Sequence, residues 1–343
     1  MNRISYSQGM LAVFVLSLVL ALSGCSDKAE PHEVYLAGKT MGTSYHIKFY
    51  DQQAERDASA LQAEIDSLLA DINQSMSTYI SDSEINTFNH LAANQVMPIS
   101  NDFRAVVTES IRLGESTKTL DVTMGPLIDL WGFGPDKKPT KRPSDAELAT
   151  MLNNIGIDKL RLTEQGLAKT VTQLALSFSA TAKGYGIDKV AQLLENHDIT
   201  NYMVEIGGEL RISGKKPNNQ DWKIAIEQPD APPGERKVHL VIAPGTNGIA
   251  TSGDYRIFYE MDGETYSHLI DPTTGMPSRH DLVSVTVLHP SAMTADGLAT
   301  ALTVMGMEKA QAYAQKHDLP VYLIAKSAQG LVTYASPAFK PYL

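Results

Sequence analysis

A single histidine stands beside a rigid corner of the chain. His268 lies three residues before the sequence Asp-Pro-Thr-Thr-Gly at 271–275, and this composition predicts a sharp turn. The segment Thr265–Ile270, which includes His268, is predicted to be a strand that ends at the turn. An imidazole held at such a place could exchange a proton near neutral pH, although a lone histidine is more often structural.

The segment TADGLAT at 294–300 combines a carboxylate with a hydroxyl. Asp296 and Thr300 are four residues apart in a predicted helix, so they share one of its faces. Oxygen ligands of this kind suit a hard cation such as Mg²⁺. The alternative is that Asp296 favours the helix N-terminus and that Thr300 only packs.

A run of small residues precedes another predicted helix in SFSATAKGYGID at 177–188. Backbone groups in such a run can approach a phosphate or a metal closely, and the start of a helix favours anions. The glycine spacing differs from that of a Walker A loop. A plain connection from strand to helix, with Lys183 exposed, is the alternative. Gly207-Gly208 predicts a tight turn, and the stretch from Gly125 predicts a turn before a core tryptophan, Trp131.

Helical periodicity dominates the first half of the chain, and two further helices are predicted near its end. Ser144 with Glu147 has the pattern of a capping box. The predicted helices cover 61–72, a stretch from about Ser100, the residues after Ser144, the residues after Lys183, Ala292–Val304 and Glu308–Lys316.

The second half is rich in short apolar stretches separated by turn residues, which predict strands. Asp262-Gly263-Glu264 predicts a hairpin between two of them, and Phe133–Pro143 predicts a long surface loop. The predicted strands are Tyr202–Ile206, Leu210–Ser213, Trp222–Glu227, Val238–Ala243, Tyr255–Met261, Thr265–Ile270, Val283–Leu288 and Val321–Ile324. Hairpins with helices between blocks indicate an α+β fold with mainly antiparallel sheets.

The N-terminal segment predicts a lipoprotein signal peptide. Arg3 precedes an uncharged apolar run that ends at Leu22, too short for a comfortable membrane span. Cys25 is the only cysteine and follows Ser23 and Gly24, as in a bacterial lipobox. The alternative is a plain signal peptide with an incidental cysteine. We therefore predict a signal peptide at 1–24, a lipidated Cys25 at the head of a tether at 25–33, and one domain at 34–343.

The charge of the chain disfavours nucleic acid as a partner. The 343 residues include 29 basic and 39 acidic side chains, a formal net charge of −10. Removal of the predicted signal peptide would also remove the positive charge of Arg3 and make the net charge more negative. A protein that binds nucleic acid through a basic face is expected to have the opposite balance.

Eight short blocks, in this order, resemble the ApbE-type family, the FAD:protein FMN transferases. The resemblance extends from about Val34 to the end of the chain. The blocks are MGTSYHIKFY, STYISDSEINTFN, LDVTMGPLIDLWGFGP, SATAKGYGID, EIGGELR, IATSGDYR, SHLIDPTTGMP and TADGLATALTVMG.

The resemblance implies a T-fold-like α+β architecture with FAD in a cleft and Mg²⁺ against its pyrophosphate. Asp296 and Thr300 would be side-chain metal ligands, and Ala180 would offer its carbonyl oxygen. His268 would assist catalysis from within the cleft. The residues implied to contact FAD are Met41, Tyr79, Thr119, Leu120, Asp121, Lys183 and Ile270.

One position departs from the family's pattern. Many members have an aspartate that contacts FAD where this chain has Ser177. Serine can still hydrogen-bond but brings no charge, so the strength or pH dependence of this contact is expected to differ.

The resemblance also implies a reaction. Neutral His268 would take the proton of a threonine or serine hydroxyl on an acceptor protein, which would attack the FMN-side phosphorus of FAD and release AMP. One alternative is hydrolysis of FAD to FMN and AMP, with water in place of the hydroxyl. Another is a flavin-binding lipoprotein without chemistry, which would have no need of His268, Asp296 and Thr300.

The implied acceptors resemble flavin-carrying subunits of membrane redox pumps, such as sodium-pumping quinone reductase and the Rnf complex. Their motif has a Ser/Thr-Gly-Ala-Thr character, which this chain lacks. The expected location is the bacterial periplasm, with a lipid anchor in a membrane. The inner membrane is slightly favoured, although Ser26 after Cys25 is not the aspartate that favours retention there.

Overall fold

The computed structural model describes residues 31–51, 56–135, 141–232, 235, 237–253, 258–261 and 263–343. The predicted signal peptide, Cys25 and the tether up to residue 30 lie outside the described residues. Strand β1 begins at His32, so His32 and Glu33, predicted as the end of the tether, belong to the folded part of the chain.

The strands are short, and most are joined to a sequence neighbour as a hairpin. In the described residues they are β1 (His32–Thr40), β2 (Thr43–Asp51), β3 (Leu160–Thr163), β4 (Gly166–Lys169), β5 (Tyr202–Ile206), β6 (Glu209–Ser213), β7 (Ile224–Glu227), β8 (Val238–Ile242), β9 (Gly248–Gly253), β10 (Phe258–Met261), β11 (Glu264–Ser267), β12 (Leu282–His289), β13 (Val321–Ser327) and β14 (Gly330–Ala335).

The helices fall mainly before β3 and on either side of the β5–β12 block. They are α1 (Ala58–Met76), α2 (Glu84–Asn89), α3 (Asn101–Thr117), α4 (Gly125–Leu130), α5 (Asp145–Asn154), α6 (Ala182–Asn196), α7 (Ala292–Met305) and α8 (Met307–Lys316). Short 3₁₀ helices occupy Ile157–Lys159, Pro217–Asn219 and Pro337–Tyr342.

One eight-stranded sheet organises the molecule. Its order is β1-β2-β5-β6-β9-β12-β13-β14, and every neighbouring pair is antiparallel. The pairs β3–β4, β7–β8 and β10–β11 form separate two-stranded sheets. The predicted α+β class with mainly antiparallel sheets is confirmed.

Helices cover one face of the large sheet. Apolar residues of α1 and α6 pack on β2 and β5, and those of α7 and α8 pack on β12 and β13. The opposite face of the later strands is buried by β7, β8 and the C-terminal 3₁₀ helix. A further cluster joins α4 and α5 to the turn after β11, around the fully buried Trp131. In the described ranges, no helix has the length and apolar character needed to cross a membrane.

Several predicted elements are confirmed with small changes in their ends. Ser144 and Glu147 form the capping box at the start of α5. Met261 pairs with Glu264, which confirms the predicted hairpin, although Asp262 and residues 254–257 lie outside the described residues. Gly207 and Gly208 join β5 to β6 as a tight turn, both with positive φ. Of the predicted loop at Phe133–Pro143, residues 136–140 are not among those described, and the remainder is neither helix nor strand.

The predicted strand Thr265–Ile270 is wrong at its end. Strand β11 stops at Ser267, whose side-chain oxygen accepts a hydrogen bond from the Leu269 backbone N–H. Ile270 makes only an isolated bridge to Pro277. His268 therefore lies on the connection between β11 and the turn, not on a strand.

Strands β1, β2, β3, β4, β9 and β14 were not predicted. The sequence of β9, Gly248–Gly253, contains two glycines and an alanine, residue types that are depleted in strands. It is a strand because β6 and β12 pair with it on both sides.

Candidate active site

A cavity of about 280 Å³ lies between the ends of α3, α6 and α7 and the turn after β11. We call it the active-site cavity. Its wall includes ten of the residues singled out in the sequence, which come from widely separated parts of the chain. They are Tyr79, Thr119, Leu120, Asp121, Ser177, Ala180, Lys183, His268, Ile270 and Thr300.

The segment after α3 is tied to α7. Lys118 adopts the left-handed conformation that ends α3, and the Thr119 hydroxyl then donates to the Ala301 carbonyl at 2.9 Å. One carboxylate oxygen of Asp121 accepts from the Thr123 N–H at 2.8 Å and from its hydroxyl at 2.6 Å. Burial raises the pKa of Asp121, although the bonds from Thr123 oppose the shift.

Lys183 is the second residue of α6, because this helix begins at Ala182 and not after Lys183 as predicted. Its ammonium group lies 3.5 Å from Glu209 and 3.6 Å from Asp296. Burial opposes the charge of this lysine, but the two carboxylates outweigh burial and raise its pKa. The cavity therefore has one firmly charged cation on its wall.

Asp296 lies behind Lys183 and does not line the cavity itself. Its side chain is 5% exposed and accepts from the Gly184 N–H at 3.1 Å. Burial raises its pKa, and the charge of Lys183 opposes that shift. Thr300, one helical turn later, reaches the cavity wall. The predicted pair is thus carried by one helix, with the Asp296 carboxylate buried and Thr300 on the cavity wall.

The start of α7 is fixed by a carboxylate from α6. Asp188 accepts from the Ser291 hydroxyl at 2.7 Å and from the N–H groups of Ala292 and Met293 at 2.9 and 3.1 Å. Arg211 donates to the same carboxylate at 2.7 Å. These contacts satisfy N–H groups that the first turn of a helix leaves without partners.

His268 is held by the turn that follows it. The Asp271 carboxylate accepts from the Thr273 N–H and hydroxyl, and the Asp271 carbonyl accepts from the Gly275 N–H at 2.8 Å. The indole N–H of Trp131 donates to the Gly275 carbonyl at 2.8 Å. The rigid corner predicted beside the imidazole is confirmed, and a core tryptophan anchors it.

Two aromatic residues, Tyr79 and Phe133, lie on the wall of the cavity. Tyr79 is 70% exposed, so its ring is available to a planar ligand. Phe133 lies edge-on to His268, with ring centroids 6.4 Å apart. Ser177 lines the same wall and donates to the Ser179 hydroxyl at 3.4 Å.

Like Asp296, Met41 was predicted to contact a ligand but does not line the active-site cavity. It lies in the turn between β1 and β2 with φ 49°, and it lines a neighbouring groove. Its methyl group is directed at Gly186 of α6. Ser77 and Ile80 of that groove flank Thr78 and Tyr79 of the cavity, so the two spaces adjoin.

Sequence reasoning missed several residues of the cavity wall. Their apolar or small side chains carry no chemical signal, and only the fold brings them together. They are Thr78, Val122, Met124, Ile128, Phe133, Gly134, Ser179, Leu269 and Val304. Glu209 was also missed, although it follows the Gly207-Gly208 turn at once and could have been suspected as a charge beside it.

The donor set fits Mg²⁺. A buried carboxylate that already faces a cation, Asp296, stands one turn from the Thr300 hydroxyl, and Ala180 offers a backbone oxygen at the same cavity. Gly297 of α7 packs on Thr181, next to Ala180, which brings the two segments together. Among the residues with described positions there is no group of three or more His, Cys, Asp or Glu side chains that could hold a metal. Mg²⁺ commonly needs only one or two carboxylates and takes its other oxygens from substrate and water.

Comparisons with known proteins give matches over nearly the whole chain. Residues 41–323 match the ApbE family, a range that contains every predicted FAD and metal contact. The chain is 47% identical over 329 residues to the FAD:protein FMN transferase of Vibrio cholerae, covering 96% of this chain and 97% of the relative. It is 45% identical over 333 residues to the FAD:protein FMN transferase of Haemophilus influenzae, covering 95% and 96%.

Solved structures show the same fold. The flavin transferase ApbE from Vibrio cholerae superposes with a TM-score of 0.85 at 46% identity, covering 91% of this chain and 100% of that chain. The apo form of Pseudomonas stutzeri flavinyl transferase ApbE superposes with a TM-score of 0.84 at 35% identity, covering 92% and 98%.

Proposed function

Because this chain belongs to the ApbE family, we propose that it is an FAD:protein FMN transferase, which moves the FMN moiety of FAD to a hydroxyl group of an acceptor protein. The observation that carries the proposal is the convergence of His268, Lys183 and Thr300 on one cavity, with Asp296 buried behind the lysine.

FAD is the substrate and would be held by groups of different character. Lys183 would meet the pyrophosphate as a fixed positive charge, since Glu209 and Asp296 hold its ammonium group in place. The exposed ring of Tyr79 would stack on one of the aromatic rings of FAD. Ser177 would donate a hydrogen bond at the position where the family resemblance implies an aspartate, so this contact would carry no charge.

In the proposed reaction, a bond forms between the acceptor hydroxyl oxygen and the FMN-side phosphorus. The bond from that phosphorus to the bridging oxygen breaks, and AMP leaves with the electron pair. His268 takes the hydroxyl proton, because it lines the cavity on a loop that Asp271 and Trp131 make rigid. Much of the rate would come from positioning, as in other phosphoryl-type transfers.

Asp296, Thr300 and the Ala180 carbonyl would hold Mg²⁺. When bound, the ion would supply positive charge that screens the pyrophosphate and the leaving oxygen.

We also propose that the protein works in the bacterial periplasm, anchored by lipid on Cys25. The lipobox sequence and the single cysteine support the anchor. A flavin-carrying subunit of a membrane redox pump is the proposed acceptor, since an anchored enzyme would meet such a subunit at the membrane.

The test is incubation of the protein with FAD, Mg²⁺ and the purified flavin-carrying subunit of a sodium-pumping quinone reductase. Transfer gives a covalently flavinylated subunit and AMP. Free FMN with AMP would support the hydrolytic alternative, and unchanged FAD would contradict both reactions.

The metal is tested by Asp296→Ala, with Glu308→Ala on the exposed start of α8 as the control. Asp296→Ala should abolish most transfer and also remove the rise in melting temperature that Mg²⁺ causes in the unmutated protein. Thr300→Ala should be milder, because a neutral hydroxyl contributes less to a hard cation. If Asp296→Ala keeps both the rate and the thermal shift, the metal assignment is wrong.

A further inference from the structure

A second cavity, of about 480 Å³, adjoins the active-site cavity and shares Thr119 and Val304 with it. Its wall carries the exposed lysines Lys118, Lys309 and Lys316, and we call it the lysine pocket. Asp271 is the one acidic residue on the part of its wall that is described. Within the described ranges, none of the three lysines has an ion-pair partner. This is a local excess of positive charge on a chain whose net charge is −10.

Helix stability does not account for all three of these charges. Lys316 lies in the last turn of α8, where a cation interacts favourably with the helix dipole. Lys309 is the third residue of the same helix, where the dipole disfavours a cation. The charge of Lys309 is therefore not expected to stabilise α8, the helix that carries it.

The pocket has a fixed frame. Lys309, Tyr313 and Lys316 are spaced at four and three residues, so they lie along one face of α8. The Tyr313 and Ser116 hydroxyls are 2.6 Å apart and hydrogen-bonded, which joins α8 to the end of α3. Lys118 follows that end directly.

Helix α7, which carries Thr300, and the turn that follows His268 both contribute residues to the lysine pocket. Val304 is one helical turn after Thr300 on α7, about 5–6 Å further along the axis. Asp271 is three residues after His268 on the rigid turn. A group bound in the lysine pocket would thus lie within about one helical turn of the proposed site of phosphoryl transfer.

We propose that the lysine pocket binds an acidic segment of the acceptor protein and so holds the reacting serine or threonine at the mouth of the active-site cavity. The inference rests on the proposed transfer of FMN. The net negative charge of the chain would repel an acidic partner, and a local positive pocket beside the site reverses that repulsion where the partner must dock. The phosphates of FAD are the other anions to be bound, but Lys183 and Thr300 of the active-site cavity are the groups proposed to hold them.

The experiment uses charge reversals of Lys118, Lys309 and Lys316, singly and together. The control is Lys326→Glu, an exposed lysine near the end of β13 that lies on the wall of neither cavity. Each variant is assayed for FMN transfer to the flavin-carrying subunit of a sodium-pumping quinone reductase. The KM for this subunit and the KM for FAD are measured separately, at 50 and 300 mM NaCl.

Each reversal in the pocket should raise the KM for the acceptor about two- to fivefold, as expected for the loss of an exposed ion pair. The triple variant should raise it more than tenfold. Because its reversed pocket repels an acidic segment, the KM for the acceptor should fall between 50 and 300 mM NaCl, whereas that of the unmutated protein should rise. The KM for FAD and the rate at saturating acceptor should stay within twofold of the unmutated protein, and Lys326→Glu should change neither KM.

Three results would overturn the inference. A rise in the KM for FAD would assign the lysines to the first substrate. An equal rise in the acceptor KM for Lys326→Glu would mean that the net charge of the protein, and not the lysine pocket, determines the affinity for the acceptor. An unchanged KM for the acceptor in the triple variant would remove the docking role. If the unmutated protein attaches no FMN to the subunit, the proposed function itself fails, and the outcome is distinct from these three.

Discussion

At the scale of single residues, the site depends on how buried charges are matched. Lys183 stands between two carboxylates, so its positive charge is retained despite burial. If Asp296 binds Mg²⁺, Glu209 remains beside Lys183 and can keep the ammonium group in place for the substrate. This arrangement separates the two proposed tasks, cation binding by Asp296 and phosphate binding by Lys183.

The role of His268 can be separated from binding. His268→Ala should keep FAD affinity close to normal and lower the transfer rate by roughly 10²–10⁴-fold, the usual contribution of a positioned acid–base group. In the unmutated protein the rate should rise with pH through a step near neutrality, because only a neutral imidazole accepts a proton. Single-turnover transfer measured across pH, beside FAD affinity, checks this.

The step should be absent in His268→Ala. If affinity or thermal stability falls in parallel with the rate, His268 holds the cavity together and is not a base. If His268→Ala keeps both the transfer rate and the pH step, His268 is not the catalytic base.

A second buried lysine, Lys169, donates to backbone carbonyls and not to a carboxylate, and it allows a prediction about stability. The Lys169 ammonium group is fully buried and donates to the carbonyls of Asn89 and Leu174 at 2.6 and 2.7 Å. Burial lowers its pKa from the ordinary 10.5 to about 8. Between these two values the unfolded chain binds more protons than the folded chain, so this group makes stability rise with pH.

The test compares the unmutated protein with Lys169→Met across pH 7 to 10.5. The free energy of unfolding of the unmutated protein, relative to the variant, should rise by on the order of 1–3 kcal/mol over this range. Subtracting the variant removes the opposite trend from tyrosines such as Tyr45, whose pKa burial raises to about 12. Lys326→Met, at an exposed lysine, should show no such slope, and a flat difference for Lys169→Met would contradict the assignment.

At the scale of elements, helix α7 decides the geometry of the proposed metal site. It carries Asp296 and Thr300, and its first turn is held by Asp188 of α6. The same carboxylate receives Arg211 from β6, so one side chain joins two helices and the sheet. The position of Asp296 against Lys183, also on α6, follows from this joint.

Asp188→Asn should therefore weaken both the fold and the metal site. Loss of the charge leaves Arg211 and the helix N–H groups with a poorer acceptor, at a cost of roughly 2–4 kcal/mol in the free energy of unfolding. The Mg²⁺ concentration for half-maximal thermal stabilisation should rise as well. Chemical denaturation and a Mg²⁺ titration of the melting temperature measure the two effects.

Asp145→Asn is the matched control, because Asp145 also lies in a first helical turn with an arginine partner but is 89% exposed. It should lose much less stability and leave the Mg²⁺ response unchanged. Equal losses in the two variants would mean that Asp188 stabilises the fold no more than an exposed ion pair does.

At the scale of the whole molecule, the proposed lipid anchor would determine where the active-site cavity meets its acceptor. Strand β1 begins at His32, only a few residues after Cys25. A tether this short would keep the domain close to the membrane surface. The active-site cavity would then meet acceptors that are themselves part of membrane complexes.

The anchor is tested by Cys25→Ser. The variant should lose its lipid and appear in the soluble periplasmic fraction or as unprocessed precursor, while its transfer of FMN to a soluble acceptor domain stays unchanged. Membrane fractionation with and without detergent measures this. Equal dependence on detergent in the two forms would contradict a lipid anchor at Cys25.

Local chemistry was predictable from the sequence alone. The capping box of Ser144 and Glu147, the hairpin before Glu264 and the rigid turn after His268 depend on residues within a few positions of each other. The blocks that resemble the ApbE family also named most of the cavity wall, because each block keeps its own residue types.

Only the tertiary structure decided how these pieces face each other. Strand β9 exists through its two neighbours in the sheet, and Met41 lies in an adjoining groove because its turn directs it towards α6. Asp296 is hidden behind Lys183, and the lysine pocket joins the end of α3 to a face of α8 nearly 200 residues later. Contacts across such separations are set by packing and by long-range pairing, for which a window of neighbouring residues holds no pattern.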